Sequence, residues 1–229
     1  MQIDNSRYQW IVGGIALVMV LAFSIVMFTS NKHHGHPGVA AGKPLLRFVA
    51  PLALSGPDDS ANIKPHCRPG HGAAGGLNVC GRGTIVLDLF AAEAAPCVRS
   101  VDALQQVADH WPALTTAAAA TTRAHPPLHL VPANSAPVQF AAIAAGGSQA
   151  QTRALVRHHR WKLPVAFDPS GAVGQLYGVT VCPLIEVAAG GQVKALLIGE
   201  RYAAPAALAA AVQTALSPHH GDHLVRGQG

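Results

Sequence analysis

Thr84–Cys97 reads TIVLDLFAAEAAPC, and Val98–Trp111 continues it as VRSVDALQQVADHW. Thr84–Phe90 carries a single polar interruption, Asp88. A strand with one wet face would alternate, so a nearly unbroken apolar run predicts a strand covered on both faces. From Cys97 onward the pattern changes. Val98, Val101, Leu104, Ala108 and Trp111 recur at helical spacing. A doubly covered strand that feeds a helix is the building unit of an α/β fold.

The residues that follow repeat the unit. Val138–Ile143 (VQFAAI) predicts a second buried strand. Ser148 with Gln151 forms a capping box for a helix running to about Arg160. Pro164–Phe167 predicts a short strand and Gly171–Tyr177 a short helix. Leu184–Ala188 and Val193–Ile198 flank Gly190 and Gly191, which predicts a β-hairpin. Pro205 opens a last helix with Leu208, Val212 and Leu216 on one face, and Pro218 ends it. The early alternation implies parallel strands, and the late hairpin makes the sheet mixed. The expected fold class is therefore a three-layer α/β/α domain around a central mixed sheet. Residues 112–137 are rich in Thr, Ala and Pro and are expected to be an insertion loop.

Before Thr84 the chain is less regular. Leu45–Leu54 is apolar and predicts a peripheral strand. Ser55–Arg82 holds Pro57, Pro65, Pro69 and six glycines, and reads as a long loop that a Cys67–Cys80 bond would pin. Residues 30–44, rich in Gly, His and Pro, read as a linker. Ile11–Thr29 is nineteen residues without a charge. As a helix it reaches about 28 Å, close to the hydrocarbon thickness of a bilayer. A cleaved signal peptide would have a shorter core followed closely by a small-x-small site. The nearest such site, Gly38-Val39-Ala40, lies well beyond it. The expectation is an uncleaved, single-pass signal anchor. The resulting organisation is a tail at 1–10, the anchor at 11–29, the linker at 30–44, a domain extension at 45–83, the main domain at 84–217 and a tail at 218–229. Arg7 and Lys32 flank the anchor with positive charge on both sides, so charge does not fix its orientation. Four cysteines point to a disulfide-permissive, extracytoplasmic compartment.

Composition narrows the function classes. The net charge is +5, but the basic residues are scattered and do not interleave with aromatics, so a nucleic-acid partner is not expected. Thirteen histidines fall mostly in irregular stretches. His66, Cys67, His71 and Cys80 come nearest to a ligand set, but their spacing fits no zinc pattern, so neither a metal nor another cofactor is expected.

Three stretches carry a family resemblance: TIVLDLFAAEAAPC at 84–97, FDPSGAVGQLYGVTVCP at 167–183, and the GGQV turn at 190–193 followed by Gly199. With this order of elements they resemble the thioredoxin-like proteins. The resemblance covers about residues 80–216 and is nearest to the membrane-tethered TlpA/ResA-type thiol-disulfide proteins and the broader redoxin (AhpC/TSA-like) group. One departure matters. Cys97 falls on the second cysteine of that family's Cys-x-x-Cys motif, while the first falls on Ala94 and the preceding aromatic on Glu93. The family's attacking thiol sits at a helix N-terminus, where backbone N–H groups and the dipole lower its pKa. Alanine has no thiol, so the usual mechanism is closed.

The resemblance also places Pro183 as a cis-proline and Cys182 on the loop facing the motif. It implies that Val181 and Pro183 contact an extended substrate. A relocated redox pair, Cys97 with Cys182, would follow; otherwise Cys182 is a small buried hydrophobe. Asp88 falls where the family keeps a buried carboxylate. It either exchanges a proton with Cys97 or is a strand residue that lies near the surface or is satisfied by the backbone. Cys80 and Cys97 lie at opposite ends of the strand at 84–90, which spans roughly 23 Å, whereas bonded cysteines need Cα atoms within about 7 Å. With Cys182 beside Cys97, the pairing left is a structural Cys67–Cys80 and a Cys97–Cys182 pair.

The leading functional expectation is an atypical thiol-disulfide oxidoreductase with catalytic Cys97, Cys182, Asp88 and Pro183, whose partners are protein thiols or disulfides. Two alternatives stand beside it. One is a redox-inactive module that binds peptides at the cis-proline loop. The other is a one-cysteine peroxiredoxin-like peroxidase, although the threonine that family places before its cysteine is missing.

Overall fold

The computed structural model describes residues 15, 17–21, 37–67, 76–80, 83–122 and 137–217, and of residues 112–122 the helical backbone alone. The chain divides into two compact units, Met1–His36 and Pro37–Gly229. In the first, residues 15 and 17–21 are helical and exposed. Among the described residues no helix is long and apolar enough to cross a membrane. Most of the anchor expected over 11–29 lies outside the described residues, as do the tails at 1–10 and 218–229.

The second unit is built on a five-stranded sheet. Its strands are β3 (Thr84–Phe90), β4 (Val138–Ala145), β5 (Val165–Asp168), β6 (Leu184–Ala189) and β7 (Gln192–Ile198), in the order β5-β4-β3-β6-β7. β3 runs parallel to β4, and β4 to β5, whereas β6 is antiparallel to both β3 and β7. The sheet is therefore mixed, and β3 is central. Six of its seven residues are buried, as the unbroken apolar run predicts. The β6–β7 turn at Gly190 and Gly191 takes φ of 63° and 79°. That left-handed pair suits a tight hairpin and favours glycine.

Both faces of the sheet are covered. On one side Val86 and Phe90 pack with Val98, Val101, Leu104 and Val107 of α1 (Ala95–Thr122), with Val156 of α2 (Gln149–His159), and with Leu208 and Val212 of α4 (Pro205–Leu216). On the other, Ile85, Leu87 and Leu89 pack with Val173 of α3 (Ala172–Leu176), Tyr177, and Phe48, Leu77 and Val79 of the N-terminal extension. The five-residue α3 leaves much of that face to the extension. β1 (Val49–Pro51) pairs with β2 (Gly76–Asn78), and Leu52 bridges to Ala166 of β5. Residues 37–44, inside the stretch read as linker, lie against the sheet. Gly38 N–H donates to the Tyr177 carbonyl, and Val39 is buried.

Two expectations are corrected. Residues 112–122, read as the start of a loop, continue α1. Proline argues against a helix interior, but the following alanine run has the highest helix propensity of any residue type. Residues 123–136 of that expected loop lie outside the described residues. Gly76–Asn78, read as loop, forms β2. Three residues beside glycine give too short a pattern for alternation to show.

Candidate functional site

β3 and α1 put Cys97 at the head of a helix. Ala91–Ala94 make the turn between them, with Ala94 N–H donating to the Ala91 carbonyl at 3.2 Å. The Cys97 and Val98 N–H groups both donate to the Ala94 carbonyl, at 2.9 and 3.1 Å. Cys97 is thus in the first turn of α1, where the helix dipole favours negative charge. Its side chain points inward and is 2% exposed.

The second sulfur comes from the loop entering β6. There Thr180 and Val181 are exposed, Cys182 is partly buried against the α1 core, and Pro183 is buried. The Cys182–Pro183 peptide bond is cis. Cys97 and Cys182 form a disulfide with Cα atoms 5.1 Å apart. Cys67 and Cys80 form another, with Cα atoms 5.4 Å apart. The two sulfurs of the latter are therefore not free thiolates to join His66 in holding a metal. His71 lies outside the described residues.

Asp88 is fully buried on the α1 side of the sheet. The Ser100 hydroxyl, one turn past Cys97, donates toward Asp88 Oδ2 at 2.6 Å and toward the Cys97 carbonyl at 2.7 Å. Asp88 Oδ1 is buried with no hydrogen-bond partner among the described residues. Burial pushes the Asp88 carboxyl up to about 7, and the Ser100 hydrogen bond opposes that shift. The carboxylate expected near the cysteines is therefore linked, through Ser100, to the backbone of Cys97.

Of the two residues expected to meet a substrate, Val181 is 40% exposed. Pro183 is buried, and its carbonyl accepts from Gly199 N–H at 3.4 Å. Two residues escaped the sequence reading. Ser100 is a small polar side chain inside the apolar stripe of α1. Glu186 is a charged residue in the middle of β6 and was as visible as Asp88. Glu186 is fully buried on the opposite face of the sheet, where its Oε1 accepts from Val39 N–H at 2.5 Å. Burial pushes its carboxyl up to about 7 as well, against that hydrogen bond.

A central β3 flanked by a parallel β4 and an antiparallel β6, a helix starting at one cysteine and a cis-proline loop meeting it together define the architecture. The fold is thioredoxin-like. Solved structures agree. A Chlorobium tepidum structure designated thiol:disulfide interchange protein DsbE superposes with a TM-score of 0.54 at 19% identity, covering 78% of this chain and 99% of its own. A thiol:disulfide interchange protein of the thioredoxin family from Chlorobium tepidum TLS gives 0.50 at 15% identity, covering 80% and 99%. Peroxidoxin BcpB from Mycobacterium tuberculosis gives 0.50 at 14% identity, also covering 80% and 99%. No protein-family model matches the chain, and no curated protein matches it. At these identities the likeness concerns the thioredoxin-like fold, and the chemistry has to be argued from the residues.

Proposed function

We propose that this chain is a thiol-disulfide oxidoreductase that exchanges disulfides with protein cysteines through Cys97 and Cys182. One observation carries the reading: the cysteine at the helix start and the cysteine on the cis-proline loop are bonded to each other across the place where this fold keeps its redox centre. Ala94 stands at the position of the usual attacking thiol, and Cys182 restores the missing sulfur from the facing loop. The similar structures bearing thiol:disulfide interchange names support the same class of activity. Asp88 and Pro183 are part of the proposed machinery, Asp88 through its bond to Ser100 and Pro183 by shaping the loop. The proposal includes the anchor at 11–29 and an extracytoplasmic position for the domain, supported by that segment's uncharged length and by the two disulfides.

The test is a redox titration of the full-length chain in glutathione buffers, with the disulfides mapped at each point. A reversible two-electron transition at Cys97–Cys182, with Cys67–Cys80 unchanged, is expected. A Cys97–Cys182 bond that stays closed throughout, in a folded chain, would sink the oxidoreductase reading. The 2% exposure of Cys97 favours a second reading. In it the bond is structural and the loop around Val181 binds peptides without redox chemistry. A double variant, Cys97→Ser with Cys182→Ser, that retains full cellular function would favour that reading. A peroxidase would need Cys97 as a free, accessible thiolate. It is bonded and buried here, which speaks for the pair.

A further inference from the structure

The two sulfurs of the Cys97–Cys182 bond are not equivalent. Cys97 lies within the core packed between the sheet and α1, at 2% exposure. Cys182 is partly exposed at the edge of that core, directly after the exposed Thr180 and Val181. Thiol–disulfide exchange requires a thiolate to reach one sulfur while the other leaves. A thiolate arriving at Cys97 would have to displace core side chains. One arriving at Cys182 comes from solvent over Val181.

We propose that Cys182 is the substrate-facing sulfur and Cys97 the buried partner that leaves and returns. The attacking role that the resemblance gives to the position of Ala94 thus passes to Cys182 on the facing loop, while Cys97 stays the inner cysteine. The substrate class is an extended protein segment bearing cysteine thiols that lies along Thr180–Val181. The inference rests on the thiol-disulfide reading above.

In the oxidising direction a substrate thiol gives its proton to solvent and its sulfur bonds to Cys182 Sγ. The Cys182–Cys97 bond breaks, and its electron pair leaves on Cys97 Sγ. A second substrate thiolate then attacks the substrate sulfur of the mixed disulfide, and Cys182 leaves as a thiolate. The substrate loses two electrons and two protons, and the cysteine pair gains them. In the reducing direction Cys182 attacks a substrate disulfide and Cys97 resolves the mixed disulfide.

The experiment uses the full-length chain and glutathione as the probe. Oxidised wild type is mixed with reduced glutathione, quenched with acid within the first turnover, and mapped by mass spectrometry. In parallel, reduced Cys97→Ser and Cys182→Ser variants, checked for folding by circular dichroism, react with glutathione disulfide. The expected result is a glutathione adduct on Cys182 in wild type. The Cys97→Ser variant, which keeps Cys182, should react on the order of tenfold faster than the Cys182→Ser variant, as its more accessible sulfur requires. An adduct on Cys97, or equal rates for the two variants, overturns the order of attack. Neither result would remove a reversible redox transition of the pair. Failure of that transition is the separate outcome that defeats the oxidoreductase reading itself. The wild-type adduct decides the matter if either variant fails to fold.

Discussion

The Ser100 hydroxyl has one proton and two short contacts, to Asp88 Oδ2 and to the Cys97 carbonyl. Both are hydrogen bonds only if Asp88 brings a proton of its own, and burial favours that neutral form. The sign of the pH dependence follows. The Asp88 pKa is near 3.8 when unfolded and about 7 in the fold. Its contribution to stability is complete below the unfolded value and is lost as pH rises through the folded one. The loss is on the order of 4 kcal/mol. Glu186, also raised to about 7, acts in the same window with the same sign. Urea unfolding between pH 4 and pH 8 should therefore show wild type weakening as pH rises. Asp88→Asn, a neutral mimic that still donates to Ser100, should flatten roughly half of that slope. An unchanged slope would show that Asp88 is ionised in the fold throughout. Ser100→Ala leaves the buried carboxyl without its partner and should cost about 1–3 kcal/mol, read from the same curves.

Local signals at element ends proved readable where a side chain acts on its own backbone. Ser148 caps α2 by accepting from Gln151 N–H at 3.2 Å, the contact expected from the spacing. Ser148→Ala should cost about 1 kcal/mol in thermal or urea unfolding. Strands β3, β4 and β6 were legible because burial on both faces leaves an apolar run no helix pattern explains, and the half-exposed edge strand β7 was legible from the Gly190-Gly191 turn before it. Two kinds of feature were not legible. The continuation of α1 through Pro112 depends on the weight of an alanine run against one proline, and composition alone misjudged it. The packing of residues 37–40 depends on long-range partners. Gly38 has φ of 75°, and a Cβ there would run into the Leu196 side chain. Nothing in a His- and Gly-rich stretch announces a buried glutamate more than a hundred residues away. Gly38→Ala should lower stability by about 1–2 kcal/mol, and an unaltered unfolding midpoint would show that this strap is not packed as described.

For the molecule as a whole, the two disulfides differ in reach. Cys67–Cys80 closes 13 residues and Cys97–Cys182 closes 85, a loop that runs from α1 through β4, α2, β5 and α3. By loop-closure entropy the short bond stabilises by about 3 kcal/mol and the long one by about 4.5 kcal/mol. Cys182→Ser should therefore lower the urea midpoint more than Cys80→Ser does. The reverse ranking would mean that the long loop is already constrained in the unfolded chain. The site itself was only half legible at this scale. The resemblance put Cys97 and Cys182 on facing loops, but which sulfur faces outward depends on how α1 buries its first turn, and that is a property of the packed molecule.

The long loop also sets a timetable. During synthesis at about 5–20 residues per second, Cys182 emerges roughly 4 to 17 s after Cys97, given the 85 residues between them. Through that interval Cys67 and Cys80 are the only other cysteines that have appeared, and either one, if still reduced, is a wrong partner for Cys97. With the extracytoplasmic position proposed above, closure of the 13-residue loop within that interval would remove both competitors before the correct partner arrives. The small N-terminal disulfide would then keep the waiting thiol from being captured out of order.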